Sequence, residues 1–438
     1  MKITTEDPNQ PPPVPVPEGD PAKDFQEAAM DGKNIHLSGM AGTGKTTLIR
    51  NFIKDHEDVV DIVAPTGIAA LNIGGMTIHR WTGMLLGPGS DQRDPNETNE
   101  TYFRWLCDQP YRSIRRGFER IVRCKVLVID EISMLSGRQL NFIEWMFRKL
   151  RDDDRPWGGC QVITVGDFLQ LAPVRKGEAK PYDWAFADPV WEQSGFTNIL
   201  LEKIHRQTQL DFISALCAVR VAKVSGRAAQ TLHNRIVMFP DANIPRLFTH
   251  NSMVDKWNTA MLEDVPGEAT EFVGEIFGDQ KAGEFIADNL LTPRNLFLKV
   301  GCQVMMTVND PDGMYVNGTA GKVTQISRDF IYVETERMGE VMVSKRVWKN
   351  GKPGQEAFAE YVQFPLRLAY AMTVHRSQGI TLDRAYIDVR AAREPGQAYV
   401  ALSRVRTLEG LFLKDWFGGL YCSDQAVEFY AKIKSATK

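Results

Sequence analysis

Four stretches carry more reactive side chains than their apolar surroundings require. GMAGTGKT, residues 39–46, matches G-x-x-x-x-G-K-[ST], with an apolar strand before it and the helix-forming TTLIRNFIKDH after it. In such a loop the glycines let backbone N–H groups turn inward around phosphate oxygens, and the helix N-terminus adds positive potential. Lys45 is expected to reach the β- and γ-phosphates, and the Thr46 hydroxyl to bind Mg²⁺. Gly39, Ala41, Gly42, Thr43, Gly44 and Thr47 complete the expected nucleotide contacts. In VLVIDEIS, Asp130 ends an apolar run and would hold Mg²⁺, directly or through water, while the adjacent Glu131 would orient or activate a water against the γ-phosphate. In VGDFLQLAPV, Asp167 and Gln170 stand three residues apart, and Gln170 has the chemistry to sense a γ-phosphate. A polar turn closed by Pro173 is the plainer alternative for this stretch. The fourth, LAYAMTVHRSQG, crowds Thr373, His375, Arg376, Ser377 and Gln378 onto the end of an apolar strand before breaking at Gly379. The first two stretches together describe hydrolysis of ATP, or at least of a nucleoside triphosphate.

The elements around these residues read as a doubly covered parallel sheet. NIHLSG, VVDIVAPT, KVLVIDE and CQVITVGD are near-continuous aliphatic runs separated by helical segments, as strands buried on both faces must be. Residues 197–220, 246–262 and 361–438 repeat the alternation, with FPLRLAYAMTVH, RAYIDV and LFLKDW as strands. Residues 295–361 differ: short strands joined by turn sequences predict a small antiparallel barrel inserted into a second α/β lobe. Residues 83–120 form another interruption, part loop and part basic helix (YRSIRRGFERI).

Composition bounds the rest. A chain of 438 residues exceeds one compact core. No apolar run reaches the roughly 20 residues of a membrane span, and the polar start MKITTEDPNQ is not a secretion signal. The six cysteines are scattered without C-x-x-C, and the seven histidines form no close pair. A reduced, intracellular protein without a bound transition metal is therefore expected. A formal net charge of −3 is neutral on nucleic acid, because a groove can be basic on an acidic molecule. The proline-rich residues 8–21 exclude a helix or central strand.

GMAGTGKT, APTGIAALNIGGMTIH, VLVIDEISML, GDFLQLAPV, IHRQ, LKVGCQVMM…NGTAG, LAYAMTVHRSQGITLD and AYVALSRVR follow one another in that order. The series resembles the motifs of superfamily-one (1B) DNA helicases of the Pif type (petite integration frequency), near relatives of RecD-type helicases, over about residues 24 to 415. TVHRSQG followed by AYVALSR is far more specific than the phosphate loop. The resemblance implies α/β architecture: two RecA-like P-loop lobes with parallel sheets, a small wedge and an SH3-like β-barrel. The implied boundaries are a disordered tail at 1–21, lobe 1A at 22–200 with the wedge at about 83–120, lobe 2A at 201–294 and 362–438, and the SH3-like subdomain at 295–361.

The resemblance further implies ATP and Mg²⁺ as cofactors and single-stranded and tailed duplex DNA as partners. It implies movement 5′ to 3′ by a monomeric motor inside a cell, cytoplasmic or nucleoid-associated, or of viral or phage origin, with G-quadruplex DNA as a further candidate substrate. Arg206 and Arg404 correspond to arginines that reach the γ-phosphate from the second lobe, and Gln378 and Gly379 lie near the nucleotide. Pro65, Thr66, Gly67, Thr77 and His79 would form a first-lobe DNA strip, with a packed histidine capping a helix as the equal alternative for His79. Thr249, His250, Asn251 and Asn258, with Thr373 and His375, would form a second. Lys345, Arg346, Trp348 and Lys349 on the barrel mix charge with an aromatic as single-strand binders do, though a plain solvated turn is the favoured reading. Phe103 and Trp105 are candidate stacking residues of the wedge, with core packing the favoured reading. The family's adenine-reading glutamine has no counterpart at Ala22, and Gln26 is the nearest substitute. A P-loop switch or nucleic-acid-binding protein that does not separate strands is the alternative. It has no need of the second-lobe arginines or of TVHRSQG.

Overall fold

The computed structural model describes residues 20–84, 98–109, 111–173, 181–238, 240–241, 244–249, 251–308, 310, 314–315, 317–335, 338–350, 359–417 and 419–436. They fall into two compact units. One comprises the chain from residue 20 to Thr208 with Glu394–Gly396 and the segment from Cys422 onward; the other comprises Gln209–Arg393 and Gln397–Tyr421.

In the first unit, β1 (Ile35–Gly39), β2 (Val60–Ala64), β3 (Met76–Thr77), β4 (Val126–Ile129), β5 (Gln161–Gly166) and β6 (Thr197–Leu201) form one sheet. The spatial order is β3-β2-β4-β5-β1-β6, and every pairing is parallel. Ile163 lies between Ile35 on one side and Val128 on the other. All three are buried in a core shared with Ile49 and Phe52 of the helix Lys45–Asp55, which is why these strands read as unbroken aliphatic runs. The order brings the carboxyl ends of β4, β5 and β1 side by side, so the loops that follow them converge on one edge.

Two boundaries differ from the sequence expectation. Strand β6 pairs with β1 from Ile35↔Thr197 to Gly39↔Leu201, and the unit continues to Thr208 rather than ending at residue 200. The C-terminal helix Asp424–Ala436 packs here, not with the second sheet, because Phe429 and Tyr430 seat among aromatic side chains of this unit.

The second unit contains, in chain order, β7 (Arg246–Phe248), β8 (Thr270–Val273), β9 (Glu275–Gly278), β10 (Asn295–Leu298), β11 (Gln303–Met306), β12 (Ala320–Ile326), β13 (Phe330–Thr335), β14 (Gly339–Ser344), β15 (Arg346–Asn350), β16 (Ala359–Gln363), β17 (Leu366–Leu368), β18 (Ala371–Thr373), β19 (Ala385–Asp388) and β20 (Leu411–Asp415). A parallel sheet ordered β18-β7-β19-β20 forms its base. The expected insertion is present as antiparallel sheets, β14-β13-β12-β11-β17 and β15-β16-β9, with the pair β10-β8. It begins earlier than residue 295, because β8 pairs with β10 and β9 with β16. LRLAYAMT is not one strand. Leu366–Leu368 pairs antiparallel with β11 in the insertion, and Ala371–Thr373 pairs parallel with β7 in the base sheet. The chain changes sheets at Ala369–Tyr370, where the Tyr370 hydroxyl accepts the N–H of Gln303 at 3.0 Å. Among the described residues no helix is long and apolar enough to cross a membrane.

Candidate nucleotide site and nucleic-acid interface

The phosphate loop turns between β1 and the helix Lys45–Asp55 through Gly42 (φ 81°) and Gly44 (φ 88°), left-handed positions that favour glycine. Gly44 caps the helix without a side-chain hydrogen bond, so the first-turn N–H groups can face an anion. Lys45 Nζ donates to the carbonyl oxygens of Gly39 (2.6 Å) and Met40 (3.0 Å), and the buried Thr43 hydroxyl donates to Met40 O (2.9 Å). Ala41 is buried, and the Thr46 and Thr47 side chains are exposed.

Asp130 follows β4 directly and is buried. Its Oδ1 accepts the N–H of Glu131 at 2.9 Å. Burial, and then the negative charge of Glu131, push its carboxyl up to about 7, while Lys45 and Arg50 pull the other way. Glu131 adopts φ 51°, a left-handed conformation that costs a non-glycine residue about 1–3 kcal/mol and occurs at functional sites. After β5, Asp167 is fully buried and organises its own turn. Its Oδ1 accepts Leu169 N–H (3.1 Å), and its Oδ2 accepts Gln170 Nε2 (3.3 Å). Asp167 thus aims the buried Gln170 instead of lying free beside it. This unit therefore gathers Lys45 and Thr46, at a helix start, with Asp130, Glu131, Asp167 and Gln170, on loops, at one sheet edge.

Arg206 differs from expectation. Its backbone lies in the same unit as the phosphate loop. A Cβ on Gly42 would come within 2.6 Å of the Arg206 Cβ, and His205 N–H donates to Gly42 O at 2.8 Å. The segment leaving β6 covers the loop because β6 runs beside β1. Only Arg404 of the two arginines comes from the second unit. It is 2% exposed, and its guanidinium donates to Val400 O (2.9 Å), Ser403 Oγ (2.9 Å) and Ser377 O (3.5 Å). Gln378 is buried with no partner on Nε2 among the described residues, and Gly379 takes φ 77° in the exposed turn.

The proposed DNA strips divide. Pro65, Thr66 and Gly67 are partly exposed after β2, with Thr66 Oγ1 accepting Ala69 N–H at 3.2 Å. Thr77 and His79, expected on a contact surface, are buried instead. Thr77 Oγ1 caps the helix Ile78–Thr82 through Arg80 N–H (3.4 Å), and His79 Nε2 lies 3.2 Å from Gln139 Nε2. In the second unit Thr249 and His375 are half-buried, while Thr373 is buried and its Oγ1 accepts Arg376 N–H at 3.3 Å. His250 lies outside the described residues, and Asn251 opens the helix Asn251–Glu263. Asn258 is no surface residue. Its amide exchanges two hydrogen bonds with the backbone of Ala371, at 3.0 and 2.8 Å, and so holds the edge of β18.

On the insertion, Val347 and Lys349 are exposed on β15 while Trp348 packs 6.0 Å from the Tyr361 ring. Lys349 pairs with Glu360, and Lys345 with Glu275. Phe103 packs between Phe118 and Trp145, while Trp105 is 45% exposed. Residues 85–97 of the expected wedge lie outside the described residues. Ala22 and Gln26 are both exposed on the helix Pro21–Met30. Sequence reasoning missed Tyr430, whose hydroxyl meets both Ser38 and Phe168; an isolated tyrosine in a C-terminal helix carries no motif.

Fold and site together define a P-loop ATPase in which a second parallel-sheet unit is interrupted by antiparallel strands. The sequence profile described as PIF1-like helicase matches residues 25–226. "ATP-dependent DNA helicase Pif1" of Bdellovibrio bacteriovorus is 38% identical over 400 residues, covering 89% of this chain and 87% of that protein. The human "ATP-dependent DNA helicase PIF1" is 33% identical over 417 residues, covering 93% and 62%. The crystal structure of Bacteroides sp. Pif1 in complex with ADP-AlF4 superposes with a TM-score of 0.81 at 30% identity, covering 95% of this chain and 97% of that one. The Bacteroides Pif1 structure bound to ssDNA gives 0.63 at the same identity, covering 95% and 97%. The chain belongs to the Pif1-like helicase family, and it is an ATP-hydrolysing enzyme.

Proposed function

We propose that this chain moves 5′ to 3′ along single-stranded DNA as a monomeric motor and opens tailed duplexes ahead of it. It is an ATP-dependent DNA helicase. The observation that supports the reading is the convergence of Lys45, Asp130, Glu131 and Gln170 at one sheet edge, in a chain matched by Pif1 helicases along nearly its whole length. Polarity rests on membership of the family and on no residue that can be named. G-quadruplex DNA is a further substrate to test, and the site of action is wherever the cell or phage carries exposed single strands.

The assignments follow the chemistry. Lys45 and the loop N–H groups hold the β- and γ-phosphates. Thr46 and Asp130 present hard oxygen donors suited to Mg²⁺, and a cation would compensate the buried carboxylate of Asp130. When bound, Mg²⁺ neutralises charge on the phosphate oxygens. Glu131 orients the attacking water, and Gln170, aimed by Asp167, faces the γ-phosphate. Arg206 and Arg404 supply guanidinium charge for the transferring phosphoryl group, Arg206 from beside the phosphate loop and Arg404 from the second unit. Gln378 and Gly379 complete the nucleotide surroundings. Pro65, Thr66, Gly67, Thr249, Asn251 and His375 contact the DNA backbone, with His250 as a further candidate, while the buried Thr373 orders the turn that carries His375. Such contacts position a strand without reading its sequence.

The test compares duplexes bearing a 5′ tail, a 3′ tail or no tail. Opening with ATP only from the 5′ tail is expected. Opening from the 3′ tail overturns the polarity, and ATP hydrolysis without strand separation overturns the motor.

A further inference from the structure

The C-terminal helix Asp424–Ala436 lies outside every motif and outside the matched profile, which ends at residue 226. It nevertheless reaches the root of the nucleotide site. Phe429 sits in an aromatic box, stacked on Phe186 (ring centroids 4.5 Å apart) and edge-on to Phe168 (5.3 Å), with Trp191 at 5.9 Å. That packing holds the next residue, Tyr430, 95% buried between the ends of β1 and β5.

There the hydroxyls form an ordered chain. Phe168 N–H donates to the Tyr430 hydroxyl at 3.0 Å. The Tyr430 and Ser38 hydroxyls are 2.6 Å apart, and the Ser38 hydroxyl donates to Gly166 O at 3.1 Å. With the Ser38 hydroxyl donating to Gly166 O, it is free to accept from the Tyr430 hydroxyl. The three contacts link Phe168, Tyr430, Ser38 and Gly166 in one connected series, and such series strengthen cooperatively. Its ends are mechanistically placed. Ser38 immediately precedes Gly39, the first residue of the phosphate loop. Phe168 stands between Asp167 and Gln170, the pair that presents the amide to the γ-phosphate.

We propose that Tyr430 is a positioning residue for ATP hydrolysis, setting the spacing between the phosphate loop and the Asp167–Gln170 turn. The helix Asp424–Ala436 is thereby part of the hydrolytic centre. The inference rests on the reading that Lys45 and Gln170 act on the phosphates. A misplacement of about 1 Å from such a site can reduce turnover by about 100-fold.

The test is steady-state, DNA-stimulated ATP hydrolysis by the full chain, with melting temperature measured alongside. Tyr430→Phe keeps the ring and removes the hydroxyl. Expected is a fall in kcat of about 10-fold with KM for ATP within about threefold, because the loop N–H groups remain in place. Ser38→Ala removes the same link from the other side and serves if Tyr430→Phe folds poorly. The double variant is expected to match either single one, since all three break one chain. A lower melting temperature with unchanged kcat in both single variants overturns the proposal, as does a double variant whose losses multiply. Gln170→Ala separates the two levels: if it keeps wild-type kcat, the reading of the site fails, whatever Tyr430 does.

Discussion

The two units solve the placement of polar groups in opposite ways. In the first, Lys45, Asp130 and Gln170 are tied by hydrogen bonds within their own loops. Lys45 donates to two loop carbonyls, Asp130 accepts the next peptide, and Asp167 aims Gln170. In the second, two guanidinium groups away from the site each carry an unpartnered nitrogen among the described residues, while Arg404 and Asn258 are hydrogen-bonded to nearby groups. Arg367 on β17 is 94% buried with no partner on Nη1 among the described residues, and burial, followed by the charge of Arg376, pushes its guanidinium down to about 10. Arg246 lies over the Trp257 ring at 4.0 Å with Nε unpartnered. An unpartnered buried charge stabilises its unit less than an apolar side chain of similar volume would.

That contrast can be broken most severely at Lys45. Lys45→Ala is expected to lower DNA-stimulated phosphate release by at least about 10³-fold while leaving the melting temperature near wild type. Substantial residual turnover would mean that the first unit is not the hydrolytic one. Next comes Asn258→Ala, which strips both hydrogen bonds from the edge of β18 and orphans the N–H and C=O of Ala371. A loss of about 2–3 kcal/mol is expected in urea unfolding.

Asp130→Asn and Arg367→Met sharpen the comparison by removing a buried charge from each unit. Asp130 is raised from an unfolded value of about 4 to about 7, so the folded chain holds that proton more tightly. Stability then falls as pH rises through this window, and the penalty is complete above about 7. In metal-free buffer, Asp130→Asn should melt higher than wild type at pH 8, and the difference should vanish near pH 4. A difference that grows on acidification would reverse the assignment. Arg367→Met should raise the melting temperature by a few degrees at neutral pH, since an apolar side chain replaces a buried, incompletely bonded charge. An unchanged or lower value by calorimetry would show the guanidinium to be compensated.

Much of the site was legible because its residues sit at the ends of aliphatic runs, where a parallel sheet places loops on its carboxyl edge. GMAGTGKT, VLVIDE and VGDFLQ needed only the β-α alternation to be assigned to one edge. Most of the departures occurred where pairing partners are distant in sequence. LRLAYAMT has one hydropathy pattern but serves two sheets. Arg206 belongs beside Gly42 because β6 lies next to β1, and nothing in IHRQ encodes that neighbour. Thr77, His79 and Asn258 are polar residues whose partners are caps and strand edges, and composition does not distinguish these from contact surfaces.

The sequence by itself determined the reaction class, since glycine spacing, a lysine, a threonine and paired carboxylates are local requirements of phosphate chemistry. Tertiary structure decided which groups share a unit, where β17 gives way to β18, and that the last helix returns to the first sheet. Those choices depend on long-range packing of apolar faces and on backbone pairing. Any sufficiently apolar helix satisfies such demands in one dimension, but only one arrangement satisfies them in three.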